Sequence, residues 1–344
     1  MARVTVFGAG IFGLCVAFSC LRRGAHLRVV EPRAPGAGAS GGLVGALAPH
    51  VPENWNAKKA FQLRSLLRAG SFWDEVARLS GRDPGYARIG RLQPLADEAA
   101  VTRARVRRAG AAAHWPGWAC WEVVAEPSGW APVSPSGLWV HDTLSARLHP
   151  ARAIEALAGA VRALGGEIVP RDTAGADGPV VWATGHEGLA AMSKGLARRV
   201  GTGVKGQALL VAHDARGAPQ IQAEGLHVVP HADGTVAIGS TSEREFDAPD
   251  TVDAQLDVLH GRAVEVCPAL AGAPVLRRWA GVRPRARTRA PMLGPWPGRP
   301  GHYVANGGFK IGFGVAPEIG EVMADLILYG HDAIPEGFRV EDNL

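Results

Sequence analysis

Residues 1–32 read MARVTVFGAGIFGLCVAFSCLRRGAHLRVVEP, with Gly8, Gly10 and Gly13 set between two apolar runs. The run Val4 to Phe7 has the apolar and β-branched character of a short buried strand. Ile11, Leu14, Cys15, Phe18 and Leu21 recur at helical spacing. A strand, Gly-x-Gly-x-x-Gly and a helix make up the dinucleotide fingerprint. The first glycine allows the tight turn, the second lets a pyrophosphate reach the backbone, and the third lets helix pack on strand. The phosphates would meet the helix N-terminus, where free N–H groups and the macrodipole favour an anion. A second strand, His26 to Val30, ends in Glu31, placed to accept hydrogen bonds from an adenosine ribose.

The next segment, EPRAPGAGASGGLVGALAPH (31–50), follows that acid with small residues almost without interruption. Such a stretch allows close backbone approach to a large flat cofactor, which a simple NAD dehydrogenase would not need here. With these residues the sequence resembles the D-amino acid oxidase superfamily of FAD-dependent amine oxidoreductases, which carry Gly-Ala-Ser and small residues at this place. Three later segments carry the resemblance across the chain. They are VVWATG (180–185), WAGVRPRARTRAPMLGP (279–295) and NGGFKIGFGVAPEIGEVMADLI (306–327). Within the superfamily the sequence is most similar to the glycine oxidases and to the FAD domain of bifunctional tRNA wobble-uridine modification enzymes.

The resemblance implies an α/β fold: a Rossmann-like FAD-binding domain with an inserted α+β substrate domain containing a mostly antiparallel sheet. Since nucleotide motifs lie near both ends and in the middle, the FAD domain is expected to be discontinuous, at 1–50, 147–205 and 281–344. The substrate domain takes 51–146 and 206–280. Residues 151–169 read as helix, Gly-Gly and strand returning to the nucleotide sheet. GLHVVPHADGTVAIGST (225–241) reads as a hairpin turning at Asp-Gly.

FAD contacts implied by the resemblance are Gly8, Gly10, Ile11, Phe12 and Gly13 in the first turn, then Glu31, Pro32 and Arg33. They continue through Ala39, Ser40, Gly45, Ala46 and Leu47, then Ala174, Ala183, Thr184 and Gly185. The closing loop adds Gly308, Phe309, Lys310, Ile311 and Gly312, with a helix expected to begin near Ala316 and aim its positive end at the flavin pyrimidine. The family's carboxylate-binding arginine falls on Arg283, whose guanidinium can hold a substrate carboxylate bidentately. Arg285, Arg287 and Arg289 are expected to face solvent. Lys310 stands where glycine oxidase has a second arginine, and His227 replaces a tyrosine that helps bind the carboxylate, which puts glycine itself in doubt as substrate. For Lys310 a solvated surface position stays open. For His50, Asn54 and Trp55, packing and cavity contact are both open.

The expected reaction is oxidation of an amine or amino acid at its C–N bond by hydride transfer to flavin N5. The imine then hydrolyses, and O2 accepts the electrons. Alternatives are a dehydrogenase passing electrons to a quinone or carrier protein, and an oxidoreductase acting on carboxymethylaminomethyl-uridine in tRNA. Relatives of the sarcosine-oxidase type attach flavin through a cysteine in the segment aligned with Met292 to Pro300. That segment has none here, so noncovalent FAD is expected.

Composition sets the remaining bounds. The 344 residues are 47% hydrophobic, ample for a large core. The net charge of +5 arises mostly from arginine, and the run Arg103, Arg105, Arg107, Arg108 reads as a wet helix face. No RNA-binding motif is present, so nucleic acid is not an expected partner, whereas a homo-oligomer stays open. Cys15, Cys20, Cys120 and Cys267 form no Cys-x-x-Cys pair, which argues against a metal site and fits a reducing compartment. With the nucleotide strand almost at residue 1 and no apolar run of about 18 residues, neither signal peptide nor membrane span is expected, and the location reads as cytoplasmic.

Overall fold

The opening residues fold as their periodicity requires. Val4 and Val6 of the strand Arg3–Phe7 are buried, and the helix Ile11–Arg22 starts after three intervening residues. Ile11 through Leu21 are all buried. A helix apolar all round must be covered on every side. Here the sheet covers one side, and the helices Pro150–Ala163 and Gly312–Tyr329 cover the others. The chain is described from a computed structural model at residues 2–125, 129–171, 175 and 177–344.

A six-stranded sheet has the order Met292–Pro295, His302–Asn306, Val180–Trp182, Arg3–Phe7, His26–Val30, Glu167–Val169. Its neighbours are parallel except for the first pair. In a parallel sheet of this kind, ligands lie outside the carboxyl ends of the strands. Residues 151–169 form the expected crossover: the helix begins at Pro150, Gly165 turns the chain at φ +85°, and Glu167–Val169 joins the sheet beside His26–Val30.

A second, eight-stranded sheet faces the cavity from the other side. Its order is Val275–Ala286, Gly201–Ala212, Thr235–Gly239, Leu226–Pro230, Gln220–Ala223, Arg91–Pro94, Trp139–Asp142, Trp121–Val124. All its neighbours are antiparallel except Gln220–Ala223 with Arg91–Pro94. The Asp-Gly hairpin forms between Leu226–Pro230 and Thr235–Gly239, with Asp233 Oδ1 accepting from the Thr235 amide at 3.1 Å. The expected boundaries at 205/206 and 280/281 fall inside the paired strands Gly201–Ala212 and Val275–Ala286, where Lys205 stands opposite Val282 and Gly206 opposite Gly281. A division placed there cuts across one continuous ribbon.

Two expectations change. The last long helix starts at Gly312, not near Ala316. Its glycines and Pro317 read locally as loop, but packing against Ile11–Arg22 and Ala57–Ser80 holds them helical. Of the arginine run, Arg103, Arg105 and Arg108 are exposed, but Arg107 turns inward and donates to Glu53 Oε1 at 2.7 Å. Among the described residues no helix is long and apolar enough to cross a membrane, and no cluster of His, Cys, Asp or Glu could hold a metal.

Candidate active site

A cavity of about 1060 Å³ runs from the carboxyl ends of the parallel strands to the antiparallel sheet. At its first end the wall is backbone. Gly8 sits at φ +101°, and a Cβ there would fall 2.4 Å from the Ala183 carbonyl oxygen. A Cβ at Gly10 would meet only Ser40 Oγ, at 3.2 Å, so the protein leaves the space beyond it open. Ser40 Oγ accepts from the Ile11 amide at 3.0 Å and so ties the small-residue loop to the helix start. Glu31 accepts from the amides of Ala9 (3.0 Å) and Arg33 (3.1 Å), which fixes its carboxylate while leaving acceptor capacity for a ligand.

Helix capping sorts the molecule in two. Of the seven α-helices among the described residues, four have side-chain caps, from Asn56, Asp97, His149 and Asp253. The other three, Ile11–Arg22, Gly185–Gly195 and Gly312–Tyr329, have none, and the first residue of each lines this cavity. Three helix N-termini whose own N-cap residues offer no side-chain acceptor therefore converge on one space, and among the described residues only at Ile11 does a loop hydroxyl, Ser40 Oγ, take one of the first-turn N–H groups. That arrangement favours an extended anion.

The second end is built from side chains. Arg283 donates to Ser240 Oγ (2.5 Å) and to the Thr241 carbonyl (3.2 Å), and it makes no ion pair among the described residues. Its guanidinium lies over Gly206, where a Cβ would come 2.0 Å from Nη2. Burial lowers the Arg283 pKa to about 10, with Glu243 opposing, so it stays charged at neutral pH. Burial and then Arg283 lower that of Lys310. His227 is pushed down to about 4, by burial first and then by Arg91, Lys310 and Arg283, and is therefore neutral. At His50 burial also lowers the pKa, and Gln62 Oε1 meets both its backbone amide (2.8 Å) and its Nδ1. Among the described residues, the acids lining the cavity are Glu31 and Glu187, both beside the nucleotide turns.

A profile of the family described as "DAO: FAD dependent oxidoreductase" matches residues 3–326. The chain belongs to this family. Its cofactor is FAD. Among curated relatives, the glycine oxidase of Pseudomonas putida is 36% identical over 126 residues, which are 36% of this chain and 34% of that protein. The bifunctional protein ThiO/ThiG of Nostoc sp. is 24% identical over 349 residues, 94% of this chain and 52% of its own. The chain thus spans about a third to a half of the curated relatives it matches. Among solved structures, glycine oxidase from Geobacillus kaustophilus superposes with a TM-score of 0.83 at 20% identity, covering 99% of each chain, and shares the fold.

FAD fits the residues present: the space beyond Gly10 and three uncapped helix starts suit a pyrophosphate and a charge-accepting ring. Of the expected flavoenzyme contacts, Gly8, Gly10, Ile11, Phe12, Glu31, Pro32, Arg33, Ala39, Ser40, Gly45 and Ala46 line the cavity. So do Ala183, Thr184, Gly185 and the loop Gly308 to Gly312. Gly13 and Leu47 stand behind this wall, Gly13 against the Gly8 carbonyl and Leu47 in the core. Ala174 lies outside the described residues. Arg283, Lys310, His227 and His50 all reach the cavity, but Asn54 and Trp55 do not; Trp55 stacks on His114 at 4.1 Å. Arg287 and Arg289 are exposed as expected, whereas Arg285 is half-buried over the Phe309 ring at 5.8 Å. Sequence reasoning missed Arg91, Gln93, Gln222, Ser240 and Asn306, all of which line the cavity. The alternation in RLQP (91–94), polar outside an apolar Leu92, was the available signal for the first two.

Proposed function

We propose that the protein oxidises the C–N bond of an amino acid or closely related carboxylated amine, with noncovalent FAD and with O2 as electron acceptor. The observation that carries this reading is Arg283, a half-buried guanidinium that pairs with no carboxylate among the described residues and faces the cavity with one edge anchored by Ser240 and Thr241. Its free N–H groups suit a planar anion, and a two-point grip fixes the direction of the neighbouring C–H as well as affinity. Neutral His227 adds a hydrogen-bonding partner without adding charge. Arg283 and Lys310 make this end positive, which disfavours an ammonium and favours the uncharged amine, the form that releases hydride. When bound, FAD supplies the two-electron acceptor for that hydride; the imine hydrolyses in water, and O2 leaves as H2O2.

Arg283→Ala is expected to lower kcat/KM by about 2–4 kcal/mol in transition-state stabilisation for an amino acid, with the flavin spectrum nearly unchanged. Arg283→Lys should recover little, since a point charge lacks the planar fork. Rates of H2O2 formation under air, compared between an amino acid and its decarboxylated amine, check this. Equal rates on both with the wild type would remove the carboxylate clamp, and activity only with an added dye would replace O2 by another acceptor.

A further inference from the structure

The antiparallel sheet puts a second polar cluster into the same cavity. Arg91 and Gln93 share one face of the strand Arg91–Pro94, and the pairing of Ile221 with Leu92 brings Gln222 alongside Gln93. Gln222 in turn stands opposite His227 on the next strand. All four side chains line the cavity.

Arg91 is 4% exposed and locked in place. Its Nε donates to Asp142 Oδ2 at 2.7 Å and its Nη1 to Gln222 Oε1 at 2.5 Å, while Asp142 Oδ1 takes the Ser145 amide at 2.8 Å. Because a guanidinium only donates, Gln222 must turn its oxygen to Arg91 and keep its NH2 free. Gln93 Nε2 and His227 Nδ1 are buried with no hydrogen-bond partner among the described residues. A site for a small aliphatic substrate would leave these groups desolvated and unanswered, which folding rarely tolerates.

Charge points the same way. Asp142 balances Arg91, and Glu243, the acid behind Arg283, is taken up by Lys205 at 3.5 Å, which also lies 3.6 Å from the more exposed Asp253. Among the described residues lining this end, Arg283 and Lys310 remain as two cations without a facing acid, whereas a simple amino acid brings one carboxylate. Resting on the reading of Arg283 given above, we propose that the substrate is a dicarboxylated amine whose second carboxylate is received by Arg91, Gln93, Gln222 and His227, with Lys310 balancing its charge.

The test uses oxidised holoenzyme and ligands that cannot be oxidised as amines. Oxydiacetate carries two carboxylates across an ether oxygen, and methoxyacetate carries one. Followed by flavin absorbance, oxydiacetate is expected to bind at least about tenfold more tightly. The double variant Gln93→Leu/Gln222→Leu should reduce that ratio to near one while methoxyacetate affinity stays within about twofold. In turnover, N-carboxymethylglycine should exceed N-methylglycine, and aspartate or glutamate their amides, by a similar factor in kcat/KM. Equal binding of the two ethers by the wild type overturns the proposal without need of any variant, as does a preference that survives the double substitution in folded, flavin-loaded protein. A diacid preference with no amine oxidised would leave this subsite standing and remove the proposed reaction. Oxidation of amino acids with no diacid preference would do the reverse.

Discussion

The two ends of the cavity are made of different material. At the nucleotide end the wall is mostly backbone: Gly8, Gly10 and three helix starts whose N-cap residues give no side-chain cap. At the substrate end they are long side chains, Arg91, Gln222, Arg283 and Lys310, reaching in from strands and a loop far apart in the chain. A backbone cradle recognises what every member of a cofactor class shares, and it constrains residue type severely. A side-chain floor can be rebuilt without disturbing the fold, so it is where a substrate is selected.

The sharpest way to break this contrast is at the glycines. Gly10→Val should abolish FAD binding while leaving a folded apoprotein, since its Cβ would meet only the tip of Ser40. Gly8→Val should fail to fold, because φ +101° and the Ala183 carbonyl both oppose it. The ratio of flavin to protein absorbance, together with circular dichroism, distinguishes the two; a fully yellow Gly10→Val protein would misplace the cradle.

A smaller effect follows from pH. His227 and His231 both have folded pKa values lowered to about 4, chiefly by burial, against an ordinary value of 6.5. Between those values the unfolded chain binds more protons than the folded one, so stability rises with pH through that window and falls on acidification. Each group accounts for up to about 3 kcal/mol of the loss from pH 6.5 to pH 4. His231 is 1% exposed, and its Nε2 lies 2.9 Å from the Leu43 carbonyl oxygen; that carbonyl only accepts, so the ring N–H donates there. His231→Phe should flatten the pH dependence measured by denaturant unfolding, and a slope identical to the wild type would refute the assignment.

The smallest expected change is at Glu31. Glu31→Gln keeps the shape but loses the charge in two charge-assisted bonds, to Ala9 and Arg33. FAD affinity should drop about tenfold, roughly 1.4 kcal/mol, read by flavin fluorescence titration of apoprotein. An unchanged affinity would mean that the carboxylate serves only the loop.

Legibility followed the same division. The strand, three glycines and acid of residues 4–31 announced their turn because few other residues can occupy it, and local periodicity announced the hairpin at Asp233–Gly234. The last helix was read one turn short, because local propensity at Gly312, Gly314 and Pro317 disagrees with tertiary packing. Arg283 was found through resemblance alone, since an arginine among Arg285, Arg287 and Arg289 looks like any other. Arg91 and Gln222 were not singled out. Each is ordinary in its own strand, and their meaning arises only when Arg91–Pro94 and Gln220–Ala223 pair in parallel across more than a hundred intervening residues.

By itself, then, the sequence determined the nucleotide turn, the strand–helix order around it and the need for a large anionic cofactor, because those depend on φ angles, missing Cβ atoms and periodicities that are local properties. Only the tertiary structure decided which arginine faces the cavity without a paired acid, which is neutralised by Asp142, and which polar groups are left without partners among the described residues. Burial, pairing and field are sums over neighbours, and the neighbours exist only once the sheets have formed.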